Sequence, residues 1–269
     1  MNQLPLSHID QLKSLLDRLS PLPAEVVTEL KQRNDVRFSY HSTAIEGNTL
    51  TQSETALVLQ DGLTIGGKRL AEHLEVIGHK QAIDFVEQLA QTGERIGEWQ
   101  LRQLHQLVLY GDRTQSAGKY RTVNVMAAGS GHKYPDQVSV PDLMNDFTQW
   151  LADDDTDLHP VERAAEAHYR FVSIHPFSDG NGRVGRLLQN LLLIQSGYPA
   201  ITLLVSDRAR YIEALFRAQT CDDDIDDFLE LSCDRQVDAL KETLEVAATS
   251  AALMQEKAED CAQALKAIG

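Results

Sequence analysis

Apolar residues recur along this chain at spacings of three and four, the period of helices that bury one face. Ile9, Leu12, Leu15, Leu16 and Leu19 mark a first amphipathic helix within residues 1–22, stopped by Pro21 and Pro23. Val26, Val27, Leu30 and Phe38 mark a second, from about Ala24 to Ile45, with Gly47 placed like the glycine just past a helix end. Thr51-Gln52-Ser53-Glu54 reads as a capping box that opens a helix through about Gln60. Leu70, Leu74, Ile77, Ala82, Phe85, Val86 and Leu89 predict a long helix. Trp99, Leu101, Leu104, Leu107 and Val108 predict another, after Gly93 and Gly97. The period returns from Pro141 (Leu143, Met144, Phe147, Trp150, Leu151) and from Pro160 to Ile174 (Val161, Ala164, Ala165, His168, Phe171, Val172). It returns again in Val184, Leu187, Leu188, Leu191 and Leu192, and over Asp207 to Ala218. From Val237 through Leu240, Leu244, Ala247, Ala251, Met254, Ala258, Cys261 and Leu265 to Ile268 a heptad seam runs without Gly or Pro, which predicts one helix of about 50 Å. Thr243, Ala248, Ser250 and Ala262 beside the seam lack the charges of a zipper, so it is expected to pack on the protein's own core, with a homodimer seam as the other reading.

One region breaks the helical pattern. Tyr120 to Val125 has β-branched content, Gly129-Ser130-Gly131 turns, and Lys133 to Val140 returns, which predicts a hairpin. The fold class is therefore all-α with a small β-hairpin.

Charge narrows the partners. At 269 residues and a net charge of −15, the chain is poorly suited to nucleic acid or to an anionic membrane. Met1 to Ser20 has no apolar leader core, and Leu187 to Ile194 is interrupted by Gln189 and Asn190, so no membrane span is expected. Cys221, Cys233 and Cys261 form no paired motif and suit a reducing, cytoplasmic setting.

Against that acidic background stands a small positive island, His175-Pro176-Phe177-Ser178-Asp179-Gly180-Asn181-Gly182-Arg183-Val184-Gly185-Arg186. Pro176 breaks the preceding helix, and Gly180 and Gly182 let the backbone approach a ligand closely. A new helix then begins, whose start offers free N–H groups and a positive dipole end that suits phosphate. Arg183 and Arg186 share one helix face beside it. Asp179 can hold a Mg²⁺ ion that bridges phosphates, and His175 can take a proton near neutral pH. A glycine turn with solvated arginines would account for any one part of this loop but not for all together. Elsewhere Gly62 to Arg69 misses a phosphate-binding P-loop, because Arg69 stands where a hydroxyl is needed and a helix precedes. His168 and His175 lie about 10 Å apart along a straight helix, too far to share a zinc ion. Asp222 to Asp227 lacks the glycine and glutamate of a calcium loop.

The twelve-residue stretch resembles the signature of the Fic family, H-x-F-x-[DE]-G-N-G-R-x-x-R, at every specified position. The resemblance covers roughly residues 24–220 and implies a helical core that transfers AMP from ATP to a Ser, Thr or Tyr hydroxyl of a target protein. It implies His175 as general base and Asp179 as Mg²⁺ ligand. Gly180, Asn181 and Gly182 would form the anion hole, and Arg183 and Arg186 would hold the β- and γ-phosphates. The Doc-like phosphotransferase branch typically carries Lys where Gly182 stands, which favours nucleotidyl transfer here. Ser42-x-x-x-Glu46-Gly47 resembles the family's inhibitory motif, [ST]-x-x-x-E-[GN], whose glutamate pairs with the second signature arginine and crowds out the γ-phosphate. Residues 118–140 would be the family's flap, along which the target binds, with Val125, Met126, Ala127 and Ala128 facing the nucleotide. Tyr211 lies where relatives place an aromatic near the nucleotide, and Gln219 where many carry Asn near the adenosine. The organisation implied is a helical lead over 1–23, the Fic domain over 24–220 with its inhibitory helix at about 24–47, and a helical extension over 221–269. Bacterial relatives often continue into a winged-helix module, and none is visible here. Two further functions stay open: removal of AMP from modified protein, with Glu46 orienting water, and a nucleotide-binding regulatory module without turnover.

Overall fold

The computed structural model describes residues 4–111, 116–126, 133–153, 157–221 and 224–268. Among these the chain is helical with no strand. Helix α1 (Leu4–Leu19) buries Ile9, Leu12, Leu16 and Leu19, and α2 (Ala24–Ile45) buries Val26, Leu30 and Phe38. Helix α3 (Gln52–Asp61) opens on the expected capping box: Thr51 N–H donates to Glu54 Oε2 (2.7 Å) and Glu54 N–H to Thr51 Oγ1 (3.2 Å). Helices α4 (Leu70–Thr92), α5 (Glu98–Val108) and α6 (Val140–Ala152) follow, then α7 (Pro160–Ile174) and α8 (Asn181–Gln195).

The core is built around α7 and α8. Val184, Leu187, Leu188 and Leu191 are fully buried, as the apolar pattern requires. The opposite face is buried too, with Arg183, Arg186, Gln189 and Asn190 each at 1–5 % exposure. A helix covered on all sides needs a partner for every polar group it carries. Gln189 accepts from His168 Nδ1 (2.9 Å) and donates to Ser232 Oγ (3.0 Å). Asn190 exchanges two bonds with the backbone of Ile201 (2.8 and 2.9 Å). This central helix therefore lies at fixed depth and fixed rotation, which is what its first turn needs in order to carry a site.

Gly78 lets α4 touch the end of α5. A methyl group there would lie 2.3 Å from the Leu107 carbonyl oxygen and 2.4 Å from Tyr110 Cβ. Gly78→Ala is expected to cost about 1–3 kcal/mol through overpacking. A urea midpoint unchanged from wild type would show that the two helices can move apart without loss.

Two expectations are corrected. The long C-terminal helix is broken at Ser250 and Lys257 into α10 (Asp226–Thr249), α11 (Ala251–Glu256) and α12 (Ala258–Ile268), after α9 (Arg208–Thr220). Folding back buries Leu253, Cys261 and Ala264, which a straight helix would leave in water. It also brings Lys257 Nζ onto the Arg18 and Ser20 carbonyls (3.0 and 2.8 Å) at the end of α1. The hairpin is likewise absent from the described residues, which form only one antiparallel bridge, Met126 to Lys133. Its backbone groups bond elsewhere: Arg121 N–H to the Pro176 carbonyl (2.9 Å) and Gln137 N–H to Asn124 Oδ1 (2.9 Å). Groups satisfied in this way are not available to a ladder.

Candidate active site

Helix α7 ends on His175 in the left-handed conformation (φ 51°, ψ 56°), the only positive φ outside glycine among the described residues. For a residue with a Cβ this costs about 1–2 kcal/mol, so the surroundings must hold it. Phe177 anchors the loop: it is fully buried and lies flat on His105, with centroids 3.6 Å apart and planes 4° from parallel. His105 Nδ1 accepts from Gly118 N–H (2.8 Å), so its Nε2–H donates to the Asp179 carbonyl (2.9 Å). Asn181 closes the loop from inside, donating to the Phe177 carbonyl (2.9 Å) and accepting from Phe177 N–H (3.0 Å). Its side chain is thus spent on the turn, and only its backbone N–H is left to serve an anion. Gly180, at φ 79°, caps α8, whose first-turn amides have no partner within the helix.

The His175 Nδ1–H points at the Val172 carbonyl (3.2 Å), which leaves Nε2 as the basic atom. The Tyr134 ring stacks on the imidazole at 3.9 Å. Burial, aided by the Arg121 charge, lowers the His175 pKa to about 4, against the pull of the Val172 bond and of Glu46 and Asp179. The ring is therefore neutral at pH 7 and competent as a base.

The two signature arginines are both buried and both paired. Arg183 binds Glu75 Oε1 through Nη1 and Asp179 Oδ2 through Nη2 (3.1 Å). Arg186 donates to Glu46 Oε1 (2.8 Å), to Ser42 Oγ (3.0 Å) and to the Ser42 carbonyl (2.8 Å). Burial works against the Arg186 charge, and the Glu46 carboxylate more than restores it, so its pKa is raised. Each of the last four carbonyls of α2 has a donor: Ser42 takes Arg186, Thr43 takes the Glu46 and Asn48 amides, Ala44 takes the Gly47 amide, and Ile45 takes Arg208 (2.8 Å). Two guanidinium groups thus meet the negative end of α2. Gly47 turns the chain away at φ 106°. The Glu46 carboxylate lies over Gly182, where an added Cβ would be 2.6 Å from Oε1. A carboxylate of the protein's own therefore lies against the first turn of α8.

A cleft of about 220 Å³ opens beside this pair, lined among others by Glu46, Tyr134, His175, Gly182, Tyr211 and Gln219. Tyr211 is buried and accepts from Arg186 at 3.4 Å while its hydroxyl meets His168 Nε2 at 2.9 Å, so it supports the guanidinium as well as lining the cleft. Gln219 donates to Ser173 Oγ (3.3 Å). Val125 is half-buried and Met126 is 61 % exposed, and neither lines this cleft; Ala127 and Ala128 lie outside the described residues. Asp179 is mostly exposed, with Oδ1 on Gly180 N–H (2.7 Å). Among the described residues no three His, Cys, Asp or Glu side chains gather as a metal set. A lone exposed carboxylate fits an ion such as Mg²⁺ that takes its other ligands from water and phosphate. Sequence pattern alone does not mark Arg121, Tyr134, His105 and Glu75 as site residues, because each reaches the loop from a distant part of the chain.

A model of the Fic/DOC family matches residues 95–193. "Protein adenylyltransferase Fic" of Nematostella vectensis is 36% identical over 222 residues, covering 81% of this chain and 52% of that protein. "Protein adenylyltransferase fic-1" of Caenorhabditis elegans is 39% identical over 188 residues, covering 69% of this chain and 37% of that one. The chain thus spans about half or less of the curated relatives it matches. The crystal structure of a Fic domain containing signaling protein from Bacteroides thetaiotaomicron superposes with a TM-score of 0.83 at 32% identity, over 89% of this chain and 96% of the other.

Proposed function

The chain belongs to the Fic family, and from that premise we propose that it is a protein adenylyltransferase, moving AMP from ATP to a Ser, Thr or Tyr hydroxyl of a target protein. The observation that carries this is a neutral His175 beside a helix start against which the Arg186-bound carboxylate of Glu46 already lies. In this reading the His175 Nε2 takes the proton of the target hydroxyl as it attacks the α-phosphorus and pyrophosphate leaves. The first-turn amides of α8 and the side chains of Arg183 and Arg186 hold the phosphates. Mg²⁺ at Asp179 would supply charge neutralisation on the phosphate oxygens. The target would lie along the segment 118–140 by main-chain pairing, and the enzyme would work in the cytoplasm. Glu46 holds the site back by occupying Arg186. Incubation with α-labelled ATP tests the reading; no label on any protein, the enzyme itself included, after Glu46 is replaced by glycine would end it.

A second reading, removal of AMP from modified protein, is favoured by one feature: Glu46 lines the same cleft as His175 and is 37 % exposed, within reach of water. Release of AMP from an AMPylated protein by wild type but not by Glu46→Gly would support it.

Asp179→Ala is expected to weaken Mg²⁺-dependent ATP binding about tenfold or more, as loss of a charged metal ligand does. Calorimetry with and without Mg²⁺ checks this, and an unchanged metal dependence removes Asp179 from the metal site.

A further inference from the structure

We infer that Arg121 is a positioning residue that ties the geometry of His175 to both limbs of the segment 118–140; this rests on the reading of His175 as base. Arg121 is 3 % exposed and makes no ion pair among the described residues. Its charge is met by carbonyls on three parts of the chain. Nε donates to the His175 carbonyl (2.8 Å), Nη1 to Val123 (3.1 Å) on the outgoing limb, and Nη2 to Pro135 on the returning one. Its own N–H takes the Pro176 carbonyl (2.9 Å). The carbonyls of His175 and of Pro176, which lead out of the left-handed bend, are thus both held by one residue. Tyr134, next to Pro135, stacks on the imidazole itself. The returning limb therefore grips the ring of His175 while Arg121 grips its backbone, and a shift of either limb moves the base.

A buried cation serving only as filler would need no fork. Here the planar guanidinium reaches three directions at once, which lysine cannot reproduce. It also adds positive charge beside a histidine that must stay neutral. The other charged or titratable groups around that ring are Glu46 from the end of α2, Asp179 from its own loop, Tyr134 from the returning limb, Arg186 on α8, and Arg208 and Tyr211 on α9. Of these, the carboxylates favour the imidazolium; Arg121 opposes them, with its own charge partly offset by exposed Asp136 on the returning limb.

The test separates the two roles. In a Glu46→Gly background, self-modification by Mg-ATP is followed by intact mass across pH. Arg121→Lys keeps charge without the fork, and Arg121→Gln loses both. Both should lower the rate at saturating Mg-ATP by about ten- to a hundredfold, the scale of a misplaced reacting group, with ATP half-saturation unchanged. Only Arg121→Gln should raise the acid limb of the rate profile and the NMR titration midpoint of the His175 ring. Rates equal to the background, ATP half-saturation that rises in step with the fall in rate, or the same midpoint in Arg121→Gln as in its parent would overturn the inference. If Arg121→Gln does not fold, the rate and half-saturation of Arg121→Lys decide. If the Glu46→Gly parent transfers no AMP, the transferase reading fails by itself, and the ring titration still decides the coupling.

Discussion

Replacing His175 with alanine is expected to lower AMP transfer by about 10²–10⁴-fold, the usual contribution of a positioned base, with ATP binding nearly intact. In the proposed reading the imidazole serves proton transfer and little else. Its Nδ1–H is committed to Val172, its ring is stacked on Tyr134, and burial keeps it neutral. None of these contacts reaches the helix start where phosphates would lie, so ground-state affinity should not depend on the ring. The backbone needs a control, since alanine tolerates the left-handed bend poorly. His175→Asn keeps a residue that favours this conformation while removing the base. Both variants should bind ATP by calorimetry and fail to label protein from α-labelled ATP. Transfer near the wild-type rate in His175→Asn would remove His175 from the mechanism.

Replacing Glu46 with glycine is expected to raise self-modification. The Glu46–Arg186 bond is charge-assisted and partly dry, a class worth about 1.5–3 kcal/mol, or roughly a ten- to hundredfold gain in rate if pairing is the whole block. The structure points to the lower part of that range. Without Glu46, Arg186 still donates to the carbonyl and hydroxyl of Ser42, so the guanidinium remains tied to α2 by neutral bonds. The carboxylate that lies against Gly182 would, however, be gone. Arg186→Ala in the Glu46→Gly background should take the gain away, because the proposed phosphate clamp is then lost. Intact-mass spectrometry at saturating Mg-ATP reads both steps. A folded Glu46→Gly protein no more active than wild type would show that Glu46 is not the brake.

The signature loop was legible in the chain because its parts are neighbours. Helix stop, carboxylate, glycine turn and helix start follow one another over twelve residues, and each acts on its near neighbours, so the bend at His175 and the cap at Gly180 arrive where composition places them. The capping box at Thr51 was legible for the same reason. The Glu46–Arg186 pair was not: 140 residues separate its members, and helix periodicity says only that Glu46 closes a helix. A family resemblance joined them; spacing could not. Asn181 shows the limit within the motif itself, since its side chain turns inward to Phe177 for reasons of loop closure.

Local patterns misled where distant groups satisfied the same atoms better. β-Branched residues at 120–125 predicted a ladder, but Arg121 and the motif loop took up the backbone groups. The C-terminal heptads predicted one straight helix, but folding back on α1 buried Leu253, Cys261 and Ala264. The amino-acid order therefore settles what depends on hydrogen bonds and torsions within a few residues: most of the helices, their caps and the shape of the loop from His175 to the start of α8. Which buried cation meets which carboxylate or carbonyl, and how Tyr134 and Arg121 close on His175, is settled only when the helices pack, because burial turns a choice of solvated partners into an obligation to find one.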